Sequence, residues 1–296
     1  MTHEDHPVMD SLEGFRIILA DSITSIQSGH DRDVLVDGSH CGINVGYYAV
    51  NGRVRGMIGN DAGMGLDGSG IACLPMLDGY GVPAAAVDCM SAEIGSARST
   101  YETGIVSVAN SHAKTIGIAA GMSAREAARR MLEAAASSRG SRDIAAQPAS
   151  AAAQHAGAPE APPRVAIEEH GVRLLIIDSA GSFSPAHAGY VVVDGSHLGA
   201  NTGRMAVDAG VAGRIGNDAG KGLNEAGTKG LHVLDAAGIP GAAVASLSAH
   251  MGVAESTYAT GRVSAVNAAA GRQGIRVGMA AKEAALLMFE DAVRRR

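Results

Sequence analysis

Residues 34–46 read VLVDGSHCGINVG and residues 191–203 read VVVDGSHLGANTG, identical at 9 of 13 positions. Working outward, residues 56–65 (GMIGNDAGMG) match 213–222 (GRIGNDAGKG) at 8 of 10. Residues 95–107 (GSARSTYETGIVS) match 252–264 (GVAESTYATGRVS) at 9 of 13. Asp37 and Asp194, Asn60 and Asn217, Tyr101 and Tyr258, and Gly121 and Gly278 all stand 157 positions apart, so the copies align without a gap. A long period that occurs twice marks two fused domain-sized units, because a solenoid needs three or more short repeats.

The first unit is expected over residues 14–136 and the second over 171–296. Between them, residues 137–163 are dominated by Ala, Ser, Gly and Pro and read as a flexible linker. Such a tether would let the copies pack as a pseudo-twofold dimer within one chain.

Within each unit short apolar runs alternate with Gly-rich turns and amphipathic stretches. That pattern predicts an α/β fold: two tandem pseudo-symmetric units, each a small, mainly parallel sheet of three or four strands flanked by helices. Strands are expected at 16–20, 34–36, 54–58 and 84–87, with counterparts at 173–177, 191–193, 212–215 and 242–244. Short helices are expected at 41–51 and 67–81, and a longer one over 99–117, where small and apolar residues recur. Asn110 and Asn267, placed inside that longer helix, read as satisfied interhelical hydrogen bonders. A further helix should begin at Ser123, whose Ser-x-x-Glu pattern through Glu126 forms a capping box; the second copy has Ala280 there.

The chain has 296 residues, 46% of them hydrophobic, enough to bury one large core or two modest ones. Aromatics are 3% with no Trp, while Gly reaches 40, so packing rests on Ala, Val, Ile and Met. A net charge of -6 and so few aromatics leave no basic stripe and no stacking platform, which argues against nucleic-acid binding. No run of 18 apolar residues suggests a membrane span. Cys41, Cys73 and Cys89 all lie in the first copy, replaced by Leu198, Gly230 and Ser246 in the second. An odd, asymmetric set argues for a reducing compartment, and the polar N-terminal stretch is unlike a targeting peptide, so a cytoplasmic location is expected.

Polar clusters follow the expected strands: Asp21-Ser22, then Asp37-Gly-Ser-His40, then GNDAG at 59–63, then Ser91. In a parallel sheet these ends converge where α/β proteins hold ligands. The DGSH string reads as a strand-to-helix turn resembling the geometry of a nucleophile elbow, although it is not Gly-x-Ser-x-Gly. Ser39 and Ser196 are candidate nucleophiles, and His30, His187, His40 and His197 candidate proton carriers. Asp61 and Asp218 could act as acid or base, while Asn60 and Asn217 could orient a carbonyl or oxyanion. Asp37, Gly63, Ser91 and Tyr101, with Asp194, Gly220, Ser248 and Tyr258, complete the candidate substrate contacts. Against this stands the plainer reading that Ser39 caps a helix and GNDAG is a self-satisfied turn.

A zinc site from His30, His40 and Asp61 lacks any close-spaced ligand pair, and a thiolate at Cys41 or Cys89 would exist in one copy only. No metal or cofactor is therefore expected. The favoured function is an enzyme acting on a small polar or anionic metabolite, by hydrolysis of an amide, ester or lactam bond. An isomerase or lyase with its site at the seam between copies, or a non-catalytic ligand-binding protein, are the alternatives. Further self-assembly is compatible with the sequence.

Overall fold

The computed structural model describes residues 6–137 and 162–296. These fall into two compact units: residues 6–62 and 70–137 in the first, and 63–69 and 162–296 in the second. Most of the stretch read as a linker lies outside the described residues.

The first unit carries β1 (Val8–Leu12), β2 (Phe15–Ala20), β3 (Asp33–His40), β4 (Gly56–Asn60), β5 (Ala84–Val87) and β6 (Val106–Ala109), paired in that order as one six-stranded sheet. β2, β3, β4 and β5 run parallel, whereas β1 and β6 pair antiparallel at the two edges. The second unit repeats this plan with β7 (Arg164–Glu169), β8 (Val172–Ile177), β9 (Val191–His197), β10 (Gly213–Asn217), β11 (Gly241–Val244) and β12 (Val263–Val266). The expected α/β class is therefore present twice, with two more strands per sheet than the larger number expected.

The central strands are buried on both faces, which is why they read as continuous apolar runs rather than alternating ones. Along β2, Ile17 and Leu19 face one core while Ile18 and Ala20 face the other; along β3, Val34 and Val36 oppose Leu35 in the same way. One face is covered by α1 (Ile43–Gly52) and α2 (Cys73–Gly79), which connect successive parallel strands. The other is covered by α3 (Ala97–Thr103) and α5 (Ala124–Ser137), with α4 (Ser111–Thr115) between them in sequence. The second unit follows with α6 (Ala200–Asp208), α7 (Gly230–Ala236), α8 (Ala254–Thr260), α9 (Ala268–Arg272) and α10 (Ala281–Arg294).

Three expectations are corrected. The helix expected over 99–117 is instead α3, then β6, then α4, because alternating Val106 and Val108 suit a strand and Asn110 starts a new helix. Asn110 Oδ1 accepts the N–H groups of Ala84 and Ala113, and Nδ2 donates to the carbonyls of Val82 and Leu74. It is the N-cap of α4 that also fastens β5, and its bond to Leu74 in α2 is the expected interhelical link. The segment expected as one helix over 67–81 is a 3-10 turn, Leu66–Ile71, interrupted by left-handed Asp67 and Gly68, and then α2.

The third correction concerns DGSH, which is the bulged end of β3 and not a turn: pairing with β4 slips between Val36 and His40. Gly38 is required there, since a Cβ would come within 2.7 Å of the Asp21 carbonyl oxygen and 2.8 Å of the Ser96 nitrogen. The missed edge strand β1 joins β2 through Glu13 and Gly14, both at positive φ, as a two-residue hairpin demands. The Ser123 cap is present: its Oγ accepts the Glu126 N–H at 3.2 Å.

Candidate functional site

The carboxyl ends of β2 to β5 do bring the polar clusters to one edge of the first sheet. Most of their groups are spent on the fold. Ser39 Oγ accepts the Ile23 N–H at 3.0 Å and Ser196 Oγ accepts the Ala180 N–H at 2.9 Å, so each serine satisfies the first donor of a short 3-10 turn. Asp37 Oδ1 in turn accepts the Ser39 N–H at 3.0 Å, and Asp194 Oδ1 accepts that of Ser196 at 3.0 Å.

The histidines are dispersed. His40 Nδ1 accepts the Gly42 N–H at 2.9 Å and His197 Nδ1 that of Gly199 at 3.1 Å, which leaves the proton of each neutral ring on Nε2. Burial lowers the His40 pKa to about 4, so the ring is neutral at pH 7. His30 lies before β3, its Nδ1 2.9 Å from Asp33 Oδ2, which also receives Arg16. His187 Nδ1 accepts the Ser184 N–H at 3.2 Å.

Asn60 Oδ1 accepts the Ala62 N–H and Asn217 Oδ1 that of Ala219, closing each GNDAG turn as an Asx turn. Asp61 Oδ1 accepts the Cys89 N–H at 3.0 Å and Oδ2 accepts Ser107 Oγ at 2.9 Å. Asp218 makes the same bracket with the Ser246 N–H and Ser264 Oγ. Gly63 and Gly220 adopt positive φ in these turns. Ser91 Oγ donates to the Asp88 carbonyl and accepts the Ile105 N–H, as Ser248 does with Ala245 and Arg262. Tyr101 packs into the core with the Arg125 guanidinium 5.1 Å from its ring centre, and Tyr258 lies under Arg164 and Lys282.

Asp37 and Cys41 are further buried groups with shifted pKa values. Asp37 is fully buried, and burial pushes its carboxyl up to about 7 against the lowering effect of the Ser39 N–H. Its Oδ2 has no hydrogen-bond partner. Cys41 is a thiol held well above its ordinary pKa, first by its bond with Cys73 and then by burial, which makes it a poor nucleophile.

A concavity missed by sequence reasoning opens beside these ends. A cleft of about 500 Å³ is floored by Leu19 and Ala20 and rimmed by Asp21, Ser22, Ser25, His6 and Arg98. Asp21 Oδ1 is held by the Ala97 N–H at 2.8 Å, which fixes the carboxylate at the start of α3. The only forewarning in the sequence was the Asp21-Ser22 pair; Arg98 reaches it from a segment 76 residues away. In the second unit Arg98 is replaced by Glu255 and Pro7 by Arg164, and these two pair bidentately at 2.9 and 3.1 Å.

No family model matches this chain, and no curated protein or solved structure matches it. The fold and site define an α/β protein of two tandem sheet units with a cleft of mixed apolar and polar lining at the carboxyl end of β2 in the first. Among the described residues no helix is long and apolar enough to cross a membrane.

Proposed function

We propose that this chain binds a small polar metabolite bearing an anionic group, at the carboxyl end of β2 in the first unit. The observation that carries this reading is the cleft of about 500 Å³, whose size falls within the range typical of small-molecule sites. Its groups favour a particular ligand: the Arg98 guanidinium suits a carboxylate or phosphate, the Asp21 carboxylate a hydroxyl or amine, and Ser22 and Ser25 either. A small hydroxy or amino acid, or a phosphorylated equivalent, meets all three. A small-molecule partner and a cytoplasmic setting belong to the same reading.

Turnover by hydrolysis of an amide, ester or lactam is the second reading. It draws on Ser39, whose Oγ bonds the residue next to Ser22. The serine would have to exchange that bond for the substrate, and its proton would have to pass to a group other than Asp33-bound His30 or Gly42-bound His40 Nδ1 in their present bonds.

The test is calorimetric titration of wild type, Arg98→Glu and Ser22→Ala with a panel of hydroxy acids, amino acids and phosphorylated analogues, followed by product analysis. A ligand whose affinity falls at least about tenfold in Arg98→Glu supports the site. Equal affinity for all three proteins places binding elsewhere and overturns it.

A further inference from the structure

The first unit gathers three metal-ligating side chains that line no part of the anion cleft. Asp61 follows β4, and Asp88 and Cys89 follow β5; one donor atom from each lies within 4.8 Å of the other two. Asp61 and Cys89 are buried while Asp88 is exposed, so the group is walled on one side and open to solvent on the other.

The second unit shows what the fold alone requires at this place. There Asp218 makes the same two bonds as Asp61, to a backbone N–H and to a serine hydroxyl, with Ala245 and Ser246 in place of Asp88 and Cys89. The bracket between strands therefore needs neither the second carboxylate nor the thiol. Both appear together in one copy, from adjacent positions, and both converge on the carboxylate that the bracket already fixes.

We propose that Asp61, Asp88 and Cys89 bind one divalent ion of the zinc type. A thiolate with two carboxylates is a mixed soft and hard donor set, which suits zinc and disfavours the oxygen-seeking magnesium and calcium. Zinc bonds sulfur at about 2.3 Å and carboxylate oxygen at about 2.0–2.2 Å, so three donors that already lie within 4.8 Å of one another draw together to share one ion. Three protein ligands leave the fourth tetrahedral position to water, on the side that Asp88 opens. Binding converts the Cys89 thiol to thiolate and releases one proton to solvent.

The test uses the full chain, stripped with chelator and titrated with cobalt(II), which is then competed off by zinc. Wild type should bind one ion with a thiolate-to-cobalt charge-transfer band. Cys89→Ser should abolish the band, and both Cys89→Ser and Asp88→Ala should weaken zinc binding by at least about tenfold. These substitutions install the residues that the second unit folds with, and circular dichroism confirms that the fold is kept. Cys41→Ser and Cys73→Ser should leave the band in place. A wild type without the band, or a band that survives Cys89→Ser, overturns the site. Loss of the metal site would leave the Arg98 titration untouched, so the two readings fail separately.

Discussion

Arg214 on β10 clamps Asp194 on β9 through two bonds of 2.7 and 3.0 Å with both side chains fully buried, whereas the same two positions in the first unit hold Met57 and Asp37. The register pairs Arg214 with Val192, so Arg214 and Asp194 are diagonal neighbours on one face of the sheet. The first unit keeps the buried carboxylate and lacks the cation, and this single difference has thermodynamic consequences in both copies.

Arg214→Met gives the second unit the arrangement of the first. It should destabilise that unit by about 3–5 kcal/mol, because a buried carboxylate is left without its cation. The double substitution Arg214→Met with Asp194→Asn should recover most of the loss. Urea unfolding of the four proteins checks this, and a strictly additive double variant would refute the coupling.

The pH dependence of the first unit should reflect two opposed groups. Asp37 has its pKa raised to about 7 from an unfolded value of about 3.9, so the native state holds a proton that the unfolded state has released, and stability falls as pH rises through that window. His40 has its pKa lowered to about 4 from about 6.5, so its contribution is full above 6.5 and is lost as pH falls towards 4. Asp37→Asn should leave stability rising from pH 4 to 6.5, and His40→Asn should leave it falling from pH 4 to 7. Parallel profiles for both variants and wild type, from unfolding at a series of pH values, would count against these shifts.

Gly38→Ala and Gly195→Ala should each destabilise by about 1–3 kcal/mol or more, because the new methyl meets backbone atoms at 2.6–2.9 Å that cannot swing aside. Thermal unfolding measures the loss. Ser39→Ala, by contrast, removes one bond to the Ile23 N–H and should cost about 1 kcal/mol. If Gly38→Ala proves as mild as Ser39→Ala, the close approach to Asp21 and Ser96 is not the reason for this glycine.

Asn110→Ala strips a fully used amide from four backbone groups and should cost about 1–3 kcal/mol for each buried group that water cannot reach. Asn267→Ala should do the same in the second unit, where Oδ1 and Nδ2 bind the matching partners. Amide exchange at Ala84 and Ala113 gives a residue-level check; unchanged protection there would argue against the fastening role.

The sequence by itself determined the duplication, the α/β class and most central strands, β5 to the residue, because constant spacing and apolar runs are local signals that survive without knowledge of neighbours. It did not determine β6, where the alternation of Val106 and Val108 suits a strand but also sat within a helical periodicity, and pairing with β5 selects the strand. Nor could it say what the polar motifs were for. DGSH and GNDAG look chemical because they are polar and repeated, yet Asn60 closes a local turn on the Ala62 N–H, and Ser39 and Asp61 hold the N–H groups of Ile23 and Cys89, which only the fold brings to them. The cleft with Arg98, the cluster of Asp61, Asp88 and Cys89, and the contrast between Asp37 without a cation and Asp194 paired with Arg214 were all decided by tertiary structure, since each depends on residues far apart in sequence meeting in space.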